Sequence, residues 1–397
     1  MDGTHTHKIK VGIFADGLGR KGKGTAIVLQ RIVEHLYQMP NFNIRLIYLA
    51  GQCNHELCRR APSVEVRLFQ FPQFSGFFSY AYFFLFSKER FDIVHFPRPA
   101  LHPLFWLIKA LGRTQKIVVA FHGAPESRDI PIFKTWQTRF NRRFIAVFGK
   151  YFIDAGIVLS ESARDPVARY YHLHNHKIVV INTGVDVQFS NIQHHILNDA
   201  DKQYLQARYN IPYPYILSVG RLDPHKNIHR LIEGYAKARN KHGISHTLVI
   251  VGGKHEPTYT QRVERTIDDL GMRNSVCFTS FVEDKDLPLV YRGADAFLFV
   301  SLSEGFGMPL IEAMASGCPV LASNVSAMPE IAGGAAYLVN PYDTDEIAEG
   351  IQQILRDGTL REELIKKGIL RAKNFSWERC AEETKGLYLK LYTNKDL

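Results

Sequence analysis

Short apolar runs that alternate with longer amphipathic stretches are the feature that most restricts the fold of this chain. Stretches with helical spacing, such as residues 26–39 and 162–173, lie between runs of the first half. Those runs are IKVGIF (9–14), NIRLIYL (43–49), FDIVHF (91–96), KIVVAF (116–121), AGIVLS (155–160) and KIVVIN (177–182). Strands that are apolar on both faces are typical of parallel sheets covered by helices on both sides.

The same alternation starts again after a polar stretch from about residue 186 to residue 214. Helical spacing covers residues 227–242 and 345–358. The second series of apolar runs is YILSVG (215–220), HTLVIVG (246–252), SVCFTS (275–280), AFLFV (296–300), PVLAS (319–323) and AYLVN (336–340). The chain has 397 residues, and a single hydrophobic core stops growing at about 250–300 residues. The sequence therefore predicts two doubly wound, Rossmann-like α/β domains.

Positive charge is concentrated in the first half of the chain. Residues 1–200 contain 25 Lys and Arg against 14 Asp and Glu, whereas residues 201–397 contain 24 against 25. A basic half joined to a neutral half indicates that the first half meets an anionic partner: nucleic acid, an acidic membrane surface and a phosphorylated acceptor all fit. Because the sequence has no nucleic-acid recognition motif, nucleic acid as a partner rests on charge alone.

No feature of the sequence predicts secretion or a membrane span. The N-terminal residues lead straight into the first predicted strand, without the pattern of a signal peptide. The aromatic run FFSYAYFFLF (77–86) has half of the roughly 20 residues that a membrane-spanning helix needs. The five cysteines are scattered and lack metal-ligand spacing, which favours reduced thiols in the cytoplasm.

The stretch SEGFGMPLIEAMASGCPVL holds two glutamates and two glycines where a predicted strand gives way to a predicted helix. Gly305 and Gly307 allow a sharp turn, and Pro309 suits the first turn of the helix. The unpaired N–H groups and the positive dipole end of such a helix form a site for phosphate. Glu304 and Glu312 would flank this site and accept hydrogen bonds from sugar hydroxyls. Solvated surface charges are the simpler alternative for both.

Two cations lie in a loop of the same kind earlier in this half. GRLDPHKN places Arg221 and Lys226 directly after the strand that ends at Val219, and GGKHEP (252–257) follows the next strand. In open α/β sheets, ligands bind beyond the carboxyl ends of the strands. An arginine and a lysine at that edge are suited to neutralise a diphosphate leaving group.

Residues 177–358 resemble the retaining glycosyltransferases of the large group 1 family (family 4), which have the GT-B fold of two Rossmann-like domains facing an interdomain cleft. The resemblance rests on INTGVD, GRLDPHKN, VGGKHE and FVEDKDLPLVYRGADAFLFVSLSEGFGMPLIEAMASGCPVLASNVSAMPEIAGGAAYLVNPYD. It implies an N-terminal acceptor-binding domain (1–186) and a C-terminal nucleotide-sugar-binding domain (187–375). A C-terminal helix (376–397) would pack back on the N-terminal domain.

The resemblance also implies roles for single residues. In the C-terminal domain, Arg221 and Lys226 would contact the donor's diphosphate, Glu304 the hydroxyls of its sugar and Glu312 its ribose. Val282 would line the nucleobase, and the amides from residue 307 to residue 310 would cap the phosphates. The remaining donor-binding positions are Gly305, Phe306, Gly307, Met308, Pro309 and Leu310.

Two further sites are implied in the N-terminal domain. FHG (121–123) places His122 after a predicted strand, where the family has a histidine near the anomeric carbon. His122 would join Arg221, Lys226 and Glu304 as the catalytic residues, although a histidine satisfied within its loop is the alternative. The glycine-rich loop after the first strand reads DGLGRKGKGTA, with Gly22 and Gly24 as candidates for donor contact. A solvated surface loop is the alternative for that segment.

For the reaction, the resemblance implies front-face displacement with retention at the sugar carbon. No metal ion or cofactor is expected, since the two cations and the helix start supply the positive charge. The sequence is most similar to bacterial mannosyltransferases, which favours GDP-mannose as donor ahead of UDP-sugars. A nucleotide-sugar epimerase of the same fold and a binding-only protein are the alternatives.

Basic, aromatic segments in the N-terminal half suggest contact with an anionic membrane. Residues 69–86, 103–113 and 134–150 are rich in aromatic side chains, and the last two also carry lysine and arginine. Aromatic residues that cover the sheet are the alternative. The hypothesis is a cytoplasmic enzyme, peripheral at the inner face of the plasma membrane. Its acceptor would be a glycan or lipid-linked glycan in bacterial surface polysaccharide synthesis, such as that of lipopolysaccharide.

Overall fold

In the computed structural model, the chain forms two compact units, each built around its own parallel sheet. Among the described residues, the first unit contains those up to Gly184 and those from Trp377 onward, and the second runs from Val185 to Ser376. Gly22 and residues 134–150 lie outside the described part. The structure describes residues 8–16, 18, 24–51, 53, 55–67, 75–99, 103–123, 151–192, 197–279 and 281–394.

The first sheet has seven strands within the described ranges, in the order β3-β2-β1-β4-β5-β6-β7. All six strands predicted for this half are confirmed, and a seventh, Ser63–Val66, was not predicted. The strands are β1 Ile9–Phe14, β2 Phe42–Leu49, β3 Ser63–Val66, β4 Phe91–Phe96, β5 Thr114–Phe121, β6 Ala155–Val158 and β7 Ile178–Val180. The helices are α1 Gly24–Tyr37, α2 Glu56–Arg60, α3 Ser75–Phe86, α4 Pro103–Ala110 and α5 Arg164–Tyr171.

The second sheet has six strands in the described part of the unit, in the order β10-β9-β8-β11-β12-β13. All six correspond to predicted apolar runs. The strands are β8 Tyr215–Val219, β9 Thr247–Val251, β10 Val276–Thr279, β11 Phe297–Phe299, β12 Val320–Ser323 and β13 Tyr337–Val339. The helices are α6 Val187–Asn191, α7 Asp199–Tyr209, α8 Ile228–His242, α9 Pro257–Asp269, α10 Leu287–Gly293, α11 Met308–Ala315, α12 Met328–Ala332, α13 Thr344–Arg356 and α14 Gly358–Ala372.

Hydrophobic spacing explains why helices cover these sheets. Along α8, the residues Ile228, Leu231, Ile232 and Tyr235 recur on one face and are all buried against the sheet. The helix ends at Gly243, whose left-handed conformation closes the last turn through a hydrogen bond from its N–H to the Arg239 carbonyl. The second core is thus a sheet with apolar helix faces packed on it.

The order in which strands are added reverses once in each sheet, between β1 and β4 in the first and between β8 and β11 in the second. Loops on the two sides of such a reversal leave the sheet in opposite directions and open a crevice at its carboxyl edge. In the second unit, the loops that flank this crevice are the ones that follow β8 and β11.

The last helix, α15 (Trp377–Tyr392), belongs to the first unit. Its Tyr388 hydroxyl lies 2.6 Å from His95 Nδ1 at the end of β4, and the Tyr388 ring meets Phe42 of β2 edge-on. Both His95 and Tyr388 are buried. The terminal helix is therefore held to the first sheet by a buried polar contact and by aromatic packing.

The cysteines differ from the sequence expectation. Cys53 and Cys58 are joined in a disulfide, so the prediction of reduced thiols is wrong for this pair. Cys277, Cys318 and Cys380 carry free thiols. Of the helices that the structure describes, none combines the length and the apolar character needed to cross a membrane.

Candidate active site in the second unit

The loops after β8 and β11 meet in an ion pair between Lys226 and Glu304. The Lys226 Nζ atom lies 2.6 Å from Glu304 Oε1, and each side chain is only 14% exposed. Lys226 also lies over the ring of Phe299, with 4.9 Å between Nζ and the ring centroid. Two residues that the sequence analysis singled out separately are thus brought together at the strand reversal.

Glu304 is a carboxylate at neutral pH. Burial alone would raise its pKa, but the positive charge of Lys226 and the neighbouring His225 outweigh burial, and the pKa of Glu304 lies below its ordinary value. Burial also lowers the pKa of His225. The pair is therefore a cation and an anion held together in a partly dry crevice, where their attraction is stronger than in water.

The backbone of Glu304 is fixed by a single hydroxyl group. The Glu304 N–H donates to Ser326 Oγ (3.0 Å), and the Ser326 hydroxyl donates to the Glu304 carbonyl oxygen (2.8 Å). Ser326 has a positive φ of 58°, which is uncommon for a residue with a side chain. Glu304 is therefore positioned by Lys226 at its carboxylate and by Ser326 at its backbone.

The helix α11 begins directly after Gly307, whose φ of 95° lies in the left-handed region that favours glycine. A Cβ atom at this position would lie 2.6 Å from Met328 Cε, so the end of the Met328 side chain would have to move. Pro309 has no N–H, and the Leu310 N–H donates to the Gly307 carbonyl oxygen (2.9 Å). Of the four amide positions expected to cap phosphates, Gly307 and Met308 are therefore the candidate donors.

Glu312 lies one turn into α11 in a different environment. Its Oε2 atom accepts a hydrogen bond from the hydroxyl of the buried Tyr291 (3.0 Å). Burial raises the pKa of Glu312 to about 7; the hydrogen bond from Tyr291 opposes the rise, and the charges of Asp186 and Asp284 add to it. The second glutamate of the motif is thus close to half-protonated at neutral pH.

Arg221 is held by an acid that the sequence analysis did not single out. Its Nη2 atom lies 3.2 Å from Asp223 Oδ2, while the other oxygen of Asp223 lies 2.6 Å from His255 Nδ1. The Asp223 side chain is mostly buried, whereas Arg221 and His255 are exposed. A single carboxylate therefore orients a guanidinium from the loop after β8 and an imidazole from the loop after β9.

The loops after β8 and β9 approach each other through glycine. A Cβ atom on Gly252 would lie 2.1 Å from the carbonyl oxygen of Gly220, a distance that no side chain can tolerate. Beyond this contact, the Leu222 N–H donates to the Gly253 carbonyl oxygen (3.1 Å). The loops that carry Arg221 and His255 are therefore packed against each other and joined by a backbone hydrogen bond.

Asn227 joins three strand ends. Its Nδ2 atom donates to the carbonyl oxygens of Val300 (3.1 Å), at the end of β11, and of Pro341 (2.7 Å), after β13. Its Oδ1 atom accepts from Arg230 Nη1 (3.1 Å), and the residue is fully buried with a φ of 58°. The signal in the sequence was the asparagine that closes GRLDPHKN, a residue type that adopts this conformation readily.

The remaining predicted residues of this unit differ in accessibility. Phe306 and Leu310 are buried, and the ring of Phe306 packs edge-on against Phe375, so both side chains belong to the core. Val282 is buried beside the exposed ring of Phe281. In the described ranges, no three His, Cys, Asp or Glu side chains are grouped as metal ligands would be.

Three of the predicted site residues belong to the first unit. His122 follows β5, and its Nε2 atom lies 2.7 Å from the Pro97 carbonyl oxygen, to which it donates. Burial lowers its pKa, so the ring is neutral with the proton on Nε2. Gly24 is the first residue of α1, and Gly22 lies outside the described residues.

Two sequence families match the chain. The family described as "Glycosyl transferases group 1" matches residues 201–371, and "Glycosyltransferase Family 4" matches residues 22–189. Together they account for most of the sequence and correspond to the second and first units.

Among characterised relatives, the O-antigen chain mannosyltransferase B of Escherichia coli is 36% identical over 176 residues, which is 44% of this chain and 45% of that protein. The O-antigen chain mannosyltransferase RfbU of Salmonella typhimurium is 31% identical over half of each chain. The serotype-specific mannosyltransferase WbdA of Escherichia coli is 31% identical over 57% of this chain and 28% of its own. The match thus spans half or less of the length of these relatives.

Solved structures resemble the chain over nearly its whole length. The Anabaena protein HepE in complex with UDP and glucose has a TM-score of 0.77 at 18% identity, covering 96% of this chain and all of that one. Sucrose-phosphate synthase from Thermosynechococcus elongatus has a TM-score of 0.76 at 19% identity, covering 98% of this chain and all of its own. At such low identity, these likenesses establish the fold alone.

Proposed function

Because the chain belongs to the group 1, family 4 glycosyltransferases and has the GT-B fold, we propose that it is a retaining, metal-independent hexosyltransferase. The sugar is mannose and the donor is GDP-mannose. The acceptor is a glycan or a lipid-linked glycan of bacterial surface polysaccharide, and the enzyme works peripherally at the inner face of the plasma membrane. The support for mannose and for polysaccharide comes from the relatives, which are named as O-antigen or serotype-specific mannosyltransferases.

The observation that carries the proposal is the Lys226–Glu304 ion pair at the strand reversal, beside the start of α11. A diphosphate that binds there meets Lys226, Arg221 and the helix start, which stabilise the negative charge that develops as it leaves. The sugar hydroxyls donate hydrogen bonds to Glu304, which is ionised because of Lys226. One residue pair thus serves both halves of the donor.

The proposed step breaks the bond between the sugar's anomeric carbon and the phosphate oxygen, and forms a bond from the acceptor oxygen to the same face of that carbon. The acceptor proton passes to the departing phosphate oxygen, so the products are GDP and the glycoside. In this scheme Glu304 holds hydroxyls and does not attack the sugar. We assign His122, the neutral imidazole of the first unit, as a further catalytic residue.

A donor panel tests the nucleotide and the sugar. The melting temperature of the purified chain would be measured with GDP-mannose, UDP-glucose and ADP-glucose, since a ligand stabilises a protein according to its binding free energy. We expect the largest shift with GDP-mannose. A larger shift with UDP-glucose would replace the donor assignment, and no shift with any nucleotide sugar would refute a donor site altogether.

A matched pair of lysine variants tests the site. Lys226→Met removes the cation of the crevice, whereas Lys237→Met removes a lysine paired with Asp345 on the surface of the same unit (2.8 Å). With GDP-mannose and octyl α-mannoside as acceptor, we expect Lys226→Met to lower kcat/KM by about a hundredfold or more and Lys237→Met to leave it unchanged. Equal effects of the two variants would contradict the assignment.

A UDP-sugar is the competing donor, because HepE, which shares the fold, is described in complex with UDP and glucose. The same assay separates this alternative by exchanging the donor. An epimerase of the same fold would convert the nucleotide sugar without any acceptor. Nuclear magnetic resonance of GDP-mannose incubated with the protein alone would then reveal an isomer.

A further inference from the structure

The helix α3 contains no charged residue, yet one of its faces is exposed to solvent. Its sequence is SGFFSYAYFFLF. A helix at the surface of a soluble protein normally turns a charged or polar face outward, and a helix that is apolar all round is normally buried. Here the exposed side chains are large and mostly apolar: Phe78, Tyr82, Leu85 and Phe86, the last of them 71% exposed. We call these four residues the α3 stripe.

The α3 stripe is a continuous face of the helix. Its members lie at positions i, i+4, i+7 and i+8, which fall on one side of an α-helix. The rings of Tyr82 and Phe86 are 4.6 Å apart between centroids. On the other side of the helix, Tyr80 and Phe84 are completely buried in the core of the first unit. The helix is therefore anchored by one face and presents the other.

Positive charge borders the stripe at its C-terminal end. Lys88 and Arg90 follow the helix and are exposed. The guanidinium of Arg113 donates to the carbonyl oxygens of Phe84 (2.9 Å) and Leu85 (3.3 Å), so it lies at the helix end. The acid among these residues, Glu89, is paired with Lys10 (2.5 Å). The border is thus cationic on balance.

We infer that the α3 stripe is a docking surface for an anionic lipid bilayer. The aromatic and leucine side chains enter the boundary between headgroups and acyl chains, while Lys88 and Arg90 meet lipid phosphate. Because α3 has twelve residues, it is too short to span a bilayer and lies along its surface. The inference deepens the membrane contact proposed above by naming its surface, and it does not depend on the identity of the sugar.

The charge distribution favours a lipid surface over a protein partner. The half of the chain that carries the stripe has the excess of lysine and arginine, while the other half is close to neutral. Large exposed apolar faces mark interaction sites, and a cationic border beside an uncharged aromatic face matches the layered chemistry of an anionic membrane surface. The adjoining helix α4 adds Trp106, a residue type that prefers this interface and is exposed here.

Vesicle flotation tests the inference with the full chain. Wild-type protein would be mixed with vesicles of phosphatidylcholine alone or with vesicles that also contain phosphatidylglycerol, an anionic lipid that attracts basic segments. Leu85→Ser/Phe86→Ser removes apolar area from the stripe, and Lys88→Glu/Arg90→Glu reverses the border. Leu370→Ser, at an exposed leucine of the second unit, is the matched control.

We expect wild-type protein and Leu370→Ser to float with the anionic vesicles only, and less so at high salt. Each double variant should bind about tenfold or more weakly, with an unchanged melting temperature. The inference is overturned if the stripe variant floats like wild type, or if wild-type protein does not float. It is also overturned if size-exclusion chromatography shows that the stripe joins two copies of the chain.

Transfer to octyl α-mannoside separates the two proposals. Because this acceptor is water-soluble, the stripe variant should retain wild-type transfer if only docking is lost. If wild-type protein transfers no sugar from any donor, the proposed function is refuted, whereas the membrane inference still depends only on the flotation result.

Discussion

The two glutamates of α11 and its preceding loop lie eight residues apart but in opposite environments. Glu304 pairs with a lysine and has a pKa below its ordinary value, whereas Glu312 accepts a hydrogen bond from a neutral tyrosine and has a pKa raised to about 7. Lys226 lowers the pKa of Glu304 against the effect of burial, whereas burial raises the pKa of Glu312 against the opposing hydrogen bond from Tyr291. A loop residue meets the cation from the neighbouring loop, while a residue within the helix faces buried Tyr291.

This contrast shows that a sequence motif of two identical residues can supply two kinds of chemistry. A carboxylate that stays ionised is suited to hold hydroxyls and to balance a cation through the reaction. A carboxyl group near half-protonation responds to pH and to any ligand that changes its surroundings. The following predictions test this contrast, beginning with the largest expected effect.

Glu304→Gln should have the largest effect. We expect kcat to fall about a hundredfold to a thousandfold, because the ionised partner of Lys226 is lost, and the free energy of unfolding to fall by about 2 kcal/mol, because a mostly buried cation is left unpaired. Steady-state kinetics and urea denaturation measure the two effects. In the double variant Glu304→Gln/Lys226→Met, the loss of stability should be smaller than the sum of the single losses. Strict additivity would show that the pair is not coupled.

Gly307→Ala should weaken donor binding about tenfold and destabilise the unit by about 2 kcal/mol. Alanine is strained at a φ of 95°, and its methyl group would lie 2.6 Å from Met328 Cε, so the backbone before α11 is strained and the Met328 side chain must move. Gly334→Ala is the control, since Gly334 has a similar φ of 81° but open space around its Cβ position. Calorimetric titration with GDP gives the affinity. If both variants bind GDP equally well, the contact with Met328 is not what positions the helix start.

Glu312 should make the protein less stable as the pH rises from 5 to 8. Its pKa in the folded state, about 7, exceeds the ordinary value of 4.5, so the folded chain binds more protons than the unfolded chain in this range. Its contribution is therefore complete at low pH and lost as the pH passes 7, a change of about 2 kcal/mol. Glu304 behaves oppositely, because its stabilisation is lost only as the pH falls below its lowered pKa.

Urea denaturation at several pH values measures this effect. Glu312→Gln should flatten the slope between pH 5 and 8, whereas Lys237→Met should retain it. A slope that survives in Glu312→Gln would place the titrating group elsewhere.

Asp223→Ala should have the smallest effect, raising the KM for the donor about threefold to fivefold with little change in kcat. Without its carboxylate, Arg221 and His255 lose the group that orients them, although both side chains are still present. His255→Ala should reproduce part of the increase in KM. His255→Asn keeps a hydrogen-bond donor for Asp223, so its KM should return toward the wild-type value. A fall in kcat with unchanged KM would argue against a positioning role.

Much of the fold was predictable because the buried strands are apolar on both faces. Strand β3, Ser63–Val66, was missed because its four residues include an exposed glutamate and lie at the edge of the sheet, where only one neighbour and one face constrain the sequence. The residues of the crevice could be predicted separately, each from the motif of its own loop. Their pairing could not, since Lys226 and Glu304 are 78 positions apart and only the strand order brings them together.

The residues that hold the crevice in place gave weaker signals. Asp223 and Asn227 lie inside the motif that carries Arg221 and Lys226, but nothing in the sequence indicates that Asp223 reaches His255 or that Asn227 reaches β11 and β13. Such contacts depend on the backbone approach of separate strand ends, which the residue pattern of any one loop does not encode.

The hydrogen-bonding capacity of Asn227 has a consequence for the sequences that this crevice tolerates. Its amide nitrogen donates to two carbonyl groups that follow different strands, and its oxygen accepts from an arginine. Aspartate has the same shape, but its negatively charged carboxylate would face two carbonyl oxygens and could not donate to them. Glycine would tolerate the positive φ but would lose the side-chain hydrogen bonds to the ends of the other strands. Replacing the amide nitrogen with an oxygen would therefore remove the two hydrogen bonds through which Asn227 joins these strand ends.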